Sequence, residues 1–240
     1  ASGGFVKIGP AAVDRSEASS ISVSDDWPFL YLKGLLLPVP SLRGMIMMGV
    51  LSVLILYLFA PKGTVRLSQF NWCMFFLGAG FMLLETKGVV HMALLFGSTW
   101  IVNSIVFFAI LVMVLLSNLF VLRFRPARLT GYYAGLAVSL GVNIAVDLDV
   151  FLGLPEAVQI TASCLMVFLP VFFAGVIFAS VFRQSTHPDR DFGANIAGVV
   201  LGGIAENFSL LLGFQHLLWL AILFYLLSRV FQPRLSPSAG

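Results

Sequence analysis

Long uninterrupted apolar runs constrain this chain more than any other feature of its sequence. Residues 99–122 and 157–182 contain no charged side chain. Each run is long enough to cross about 30 Å of hydrocarbon as an α-helix, which takes about 20 residues. Inside a bilayer the backbone N–H and C=O groups must bond to one another, and a helix achieves this within a single segment. The sequence therefore predicts an all-α polytopic membrane protein.

Similar runs along the chain predict a membrane helix bundle of about seven transmembrane helices. They cover residues 41–60, 70–84, 99–122, 129–146, 157–182, 192–212 and 215–231. Composition agrees, because 59% of the residues are hydrophobic and 10% are charged, whereas a soluble domain is about 45–50% apolar and about 25% charged. We expect a polar N-terminal extension with an interfacial aromatic segment at 1–38, a multi-span helical domain at 39–232 and a flexible tail at 233–240.

Basic residues in the connections predict the orientation of the bundle. Alternate connections carry the following basic residues: Lys62 and Arg66; Arg123, Arg125 and Arg128; Arg183 and Arg190; Arg229 and Arg234. Cytoplasmic loops carry an excess of Lys and Arg. We therefore expect a cytoplasmic C-terminus and, with seven spans, an N-terminus outside. Because these residues separate apolar runs and form no patch, we do not expect nucleic-acid binding.

Glu206 is the deepest ionisable side chain in the predicted spans, and Asn207 follows it. A charge inside the bilayer costs a few kcal/mol on insertion scales, so it needs a partner or a purpose. Two interpretations remain open: a protonatable or cation-pairing site, and a structural hydrogen bond between helices. Both place the carboxyl against another helix. The expected partners are amides and hydroxyls of other spans: Asn103, Ser104, Ser139 and Asn143.

Glu85, Lys87 and His91 form a second polar group, where the second span is expected to break or to continue as a half-helix. A broken helix with polar groups at membrane depth is how transporters build binding sites. It is also how an ordinary interfacial turn looks. Glu85 and His91 are therefore candidate site residues together with Glu206 and Asn207.

Two spans carry small residues at four-residue spacing. One set is Gly131, Gly135 and Ser139, and the other is Ala194, Gly198 and Gly202. Small residues let helix backbones approach closely where no hydrophobic effect drives association. We therefore expect both sets to pack against neighbouring helices.

Three stretches resemble a known family. They are FLGAGFMLLETK at 76–87 with LFGSTW at 95–100, DFGANIAG at 191–198 with LGGIAENFSL at 201–210, and DDWPFLYL at 25–32. Together they look like the membrane region of bacterial spermidine-synthase-like integral membrane proteins, over about residues 25–228. In that family a soluble aminopropyltransferase domain is fused to membrane segments. This sequence shows no strand, Gly-rich turn and helix in succession, so no catalytic residue of that domain has a counterpart here.

These observations predict a non-enzymatic integral membrane protein without a cofactor or a metal site, because no Ser/His/Asp or His/Cys grouping follows a known motif. We expect a scaffold or accessory subunit of a membrane complex, in a bacterial inner membrane as the resemblance implies. Its partners would be the lipid bilayer and other integral membrane proteins. The alternative is a transporter or channel for a small cation such as a polyamine, which would use Glu85 and Glu206 as intramembrane acids.

Overall fold

A computed structural model describes residues 39–59 and 70–232, and this part of the chain is helical without a strand. Its helices are α1 (Val39–Phe59), α2 (Trp72–Phe96), α3 (Trp100–Phe124), α4 (Thr130–Ala145), α5 (Glu156–Arg183), α6 (Pro188–Ala205), α7 (Ser209–Leu212) and α8 (Gln215–Val230). A short 3-10 turn at Glu206–Phe208 joins α6 to α7, so those two helices form one span. The predicted all-α bundle of about seven spans is confirmed.

Four of these spans are long and apolar enough to cross a membrane. They are Trp72–Phe96, Trp100–Phe124, Ala157–Arg183 and Pro188–Leu212. Many large apolar side chains remain exposed on the outside of the bundle, including Phe108, Leu111 and Leu122 of α3. Such a surface suits an apolar solvent, and the chain is a membrane protein.

Helix α2 lies at the centre of the bundle. It packs against α6 and α8 most extensively, and also against α5 and α3. Cys73, Met74, Ala79 and Leu83 on this helix are fully buried. Helix α5 forms the second centre, because it contacts both α3 and α4. Helix α1, in contrast, touches α6 only lightly and leaves most of its described side chains exposed.

The helix ends are set by local sequence. The side chain of Asn71 accepts a hydrogen bond from the backbone N–H of Met74 at 3.1 Å, and this contact caps the start of α2. Thr99 caps α3 in the same way. Gly97 and Gly213 have positive φ, which a glycine adopts without steric cost, and they allow the tight turns after α2 and α7.

The expected break at Glu85 is wrong, because α2 continues without interruption through Glu85, Lys87 and His91 to Phe96. A continuous helix keeps every backbone group bonded inside the bilayer. The polar side chains in this stretch are half-buried or buried against the rest of the bundle. Packing against neighbouring helices therefore removes the reason for a break.

One end of the bundle is rich in arginine. Arg229 at the end of α8 donates a hydrogen bond to the hydroxyl of Thr130, which begins α4, at 3.0 Å. The connection just before Thr130 carries Arg125 and Arg128. Three predicted features lie outside the described residues: the N-terminal extension at 1–38 with its DDWPFLYL stretch, the basic residues Lys62, Arg66 and Arg234, and the tail at 233–240.

Candidate functional site

A close contact joins α6 to α2 through small residues. Ala194, Gly198 and Gly202 are all buried. A Cβ atom on Gly198 would overlap the backbone oxygen of Phe75, and one on Gly202 would lie 2.7 Å from the backbone oxygen of Ala79. The two backbones therefore approach as closely as only glycine permits.

Asn195 adds a polar bond to the same contact. Its side-chain Nδ2 donates to the backbone oxygen of Met74 on α2 at 3.0 Å. Gly78, one turn further along α2, leaves room for this approach, because a Cβ there would overlap the backbone oxygen of Asn195. The amide of Asn195 therefore holds two helices together.

Glu206 lies at the far end of this contact, in the turn between α6 and α7. Its Oε2 accepts a hydrogen bond from the hydroxyl of Thr86 on α2 at 2.8 Å. The expectation that the carboxyl would bond to a polar group of another helix is thus confirmed. Its side chain is half-buried, and its other oxygen accepts no hydrogen bond from the part of the chain that the structure describes.

The partners expected for Glu206 are wrong. Ser139 donates to the backbone oxygen of Leu136, Ser104 to that of Trp100, and Asn143 to those of Ser139 and Met166. Asn103 is not the partner either, because the hydrogen bond of the Glu206 carboxyl within the described residues is to Thr86. Thr86 continues the four-residue spacing of Gly78 and Met82, which face α6, so this partner follows only once the structure shows that α2 packs against α6.

Glu206 and Asn207 border a groove between α1, α2 and α6, with a volume of about 510 Å³. The remaining lining is apolar or small and includes Gly44 and Met48 of α1 and Gly203 of α6. The side-chain Nδ2 of Asn207 lies 3.3 Å from the backbone oxygens of Gly203 and of Ile204. The groove is therefore an apolar space with one carboxyl at its edge.

The other candidate residues, Glu85 and His91, do not join this group. Glu85 is half-buried on α2, one position before Thr86, and does not line the groove. The Nδ1 atom of His91 is buried and has no hydrogen-bond partner among the described residues. Lys87, between these two residues on α2, is only 4% exposed, a burial that the sequence did not indicate. No common site forms from these side chains.

The predicted packing residues of α4 behave differently from one another. A Cβ on Gly135 would lie 2.7 Å from the ring of Phe173 on α5, so this glycine accommodates an aromatic side chain. Ser139 is buried, and Asn143 reaches the backbone oxygen of Met166 on α5 at 2.8 Å. Gly131 departs from the expectation, because it is exposed and a Cβ there would meet nothing within 4 Å in the described structure.

A polar cluster that the sequence did not reveal joins α2, α4 and α8 at the arginine-rich end. The hydroxyls of Tyr133 and Ser228 are 2.8 Å apart, and the Sγ of Cys73 is 3.4 Å from the Ser228 hydroxyl. The guanidinium of Arg229 lies 5.7 Å from the centre of the Tyr133 ring. No spacing rule pairs residues 95 positions apart, so only the folded chain could show this cluster.

Comparisons with known proteins add no relative. No family model, curated protein or solved structure matches the chain. The resemblance to spermidine-synthase-like membrane proteins therefore stays a prediction. Among the described residues, no three His, Cys, Asp or Glu side chains come together in a group that could hold a metal ion.

Proposed function

We propose that this protein is a non-enzymatic accessory subunit that binds another integral membrane protein through the groove between α1, α2 and α6. The observation that carries the proposal is the pair of open glycines at that groove. A Cβ on Gly44 of α1 or on Gly203 of α6 would meet no heavy atom within 4 Å in the described structure. Glycines that are not used inside the bundle leave room for a partner helix to approach closely.

The state of the polar groups inside the bundle supports the same proposal. Asn195 bonds to α2, Asn143 to α5, and Glu206 to Thr86, so these side chains tie helices to one another. Polar groups that are engaged in this way stabilise a rigid body. A rigid bundle with a lightly attached helix at one side suits a subunit that presents a surface to a partner.

Bulky substitutions at the open glycines test this proposal. The double variant Gly44→Leu with Gly203→Leu would fill the groove. The double variant Gly131→Leu with Gly141→Leu adds the same volume at two open glycines of α4 and serves as the control. After extraction from the native membrane in mild detergent, we expect the unmodified protein and the control to retain one stoichiometric membrane-protein partner. The variant with the filled groove should lose it. Isolation of the unmodified protein alone, or retention of the partner by the variant with the filled groove, would contradict the proposal.

The proposal includes the orientation that the basic residues predict. The arginine-rich end with Arg125 and Arg229 faces the cytoplasm, in a bacterial inner membrane, and the C-terminus lies on that side. A cysteine placed at Arg125 should resist a membrane-impermeant thiol reagent in intact cells and react after the membrane is opened. Labelling of this cysteine from outside intact cells would show that the orientation is the opposite of the one proposed.

A second candidate function, transport of a small cation, rests on Glu206 alone. One oxygen of its carboxyl accepts no hydrogen bond from the described residues, and the side chain borders the groove. A carboxylate in this position could pair with an ammonium group. In proteoliposomes, uptake of a polyamine that is abolished by Glu206→Gln would favour transport. Absence of uptake, or uptake that survives Glu206→Gln, would remove this candidate.

A further inference from the structure

The exposed face of α3 has a polar residue within an apolar seam. Taken every three or four positions, the seam consists of Ser104, Phe108, Leu111, Leu115, Asn118 and Leu122. Phe108, Leu111 and Leu122 are 69%, 66% and 68% exposed, which places the seam on the outside of the bundle. Alternating steps of three and four residues are the spacing of a helix that packs along a second helix.

Asn118 is the residue of this seam whose polar side chain is poorly suited to contact with lipid. It lies six residues before the end of a helix of 25 residues, hence about 9 Å inside that end and within the hydrocarbon layer. One N–H of its amide is used by the backbone oxygen of Val114 at 2.9 Å. Its second N–H and its oxygen make no hydrogen bond in the described structure. An amide exposed in this way gains from a polar partner at the same depth.

We propose that two copies of this protein associate through α3, with Asn118 of one copy hydrogen-bonded to Asn118 of the other. Two copies with the same membrane orientation are related by an axis along the membrane normal, so equal residues meet at equal depth. An amide both donates and accepts, and it therefore complements a second copy of itself. One polar residue in an apolar seam also fixes the register of a helix pair.

None of the seam residues lines the groove between α1, α2 and α6. An experiment can therefore contradict self-association without contradicting the proposed function, and the reverse. Asn118 also borders a cavity of about 170 Å³ that Asn195 and Ser117 line. Water in that cavity is the competing partner for the amide. Substitution of Asn118 separates the two, because loss of a bond to water leaves the association of two copies unchanged.

Cysteine cross-linking of the full chain in native membranes and in liposomes tests the proposal. The background carries Cys164→Ser and keeps Cys73, which is fully buried and cannot react between copies. Leu115→Cys and Leu122→Cys probe the seam. Leu116→Cys and Ile105→Cys, which are also exposed but lie about a quarter turn or more away, are the matched controls. We expect disulfide-linked dimers from the seam positions and only background levels from the controls.

Asn118→Leu provides the second measurement, and it keeps the exposed face apolar. Loss of the interhelical amide pair should lower the association constant of the dimer in liposomes about fivefold. Energy transfer between labelled copies at varied protein-to-lipid ratios measures this constant. Equal cross-linking at seam and control positions would overturn the proposal. So would an unchanged association constant in Asn118→Leu, or cross-links from the seam to a different protein only.

Discussion

Helices α2 and α3 are neighbours of the same length, yet they occupy opposite places in the molecule. Both contain 25 residues. In the most apolar stretch of each, 56% of the residues are buried in α2 but only 22% in α3, although α3 is the more apolar helix. A soluble protein would bury α3. In a bilayer the surrounding solvent is itself apolar, so the more polar helix occupies the interior.

The difference between the two helices has a physical cause. Lipid tails are as apolar as leucine, so burial of a leucine in the bundle gains little from the hydrophobic effect. Helices associate instead through close packing and polar bonds, and α2 offers both. Its small residues admit α6, its Thr86 bonds to Glu206, and its Gly80 faces the ring of Tyr225 on α8. Helix α3 has mainly large apolar side chains, and those on one side of the helix can face lipid at little cost.

The largest expected effect is at the contact between α2 and α6. Gly198→Leu would push the two backbones apart, since even a Cβ at this position overlaps the backbone oxygen of Phe75. We expect a loss of about 3 kcal/mol in the free energy of unfolding, at the upper end for overpacking. Unfolding in mixed micelles of mild and denaturing detergent measures it. Gly193→Leu on the same helix is the control, because a Cβ there meets nothing within 4 Å in the described structure. Equal stability of the two variants would show that the contact is not close.

Matched leucine truncations test the comparison between α2 and α3 directly. Leu83 of α2 is fully buried, and Leu116 of α3 is 47% exposed. Leu83→Ala should lower the free energy of unfolding by about 2 kcal/mol, because it leaves a cavity in the packed interior. This value is at the lower end of the range for leucine-to-alanine changes in protein cores. Leu116→Ala should change it little, because lipid fills the space. The same unfolding assay measures both. A larger loss for Leu116→Ala would reverse the assignment of interior and exterior.

The smallest effect is expected at the bond between Glu206 and Thr86. Glu206→Leu should cost about 1 kcal/mol of unfolding free energy, the low end for a lost partner, because the Thr86 hydroxyl can turn to a carbonyl of its own helix. Glu206→Gln should be nearly neutral in stability, because an amide oxygen also accepts. A double-mutant cycle with Thr86→Val measures the coupling between the two side chains. Zero coupling would mean that the bond does not hold α2 to α6.

Much of the architecture followed from the sequence. Apolar runs of membrane length predicted the spans to within a few residues at most ends. Small residues at four-residue spacing indicated that Gly198 and Gly202 pack closely against a neighbouring helix, which is α2 in the structure. The same rule failed for Gly131. Small residues at this spacing allow a helix to approach closely, but they do not show that a helix is there. The expected break at Glu85 failed for a related reason, since a helix tolerates polar side chains when other helices cover them.

By itself the sequence determined that the chain is a membrane helix bundle, because hydrocarbon allows a spanning backbone few forms other than helices. It also determined that Glu206 needs a polar partner, because a carboxyl in lipid is costly. Only the tertiary structure decided which partner that is. Thr86 lies 120 positions from Glu206 in the sequence, and Met74 lies 121 positions from its partner Asn195. Contacts of this kind depend on which helices become neighbours, and in lipid that choice depends on the fit of whole surfaces rather than on local pattern.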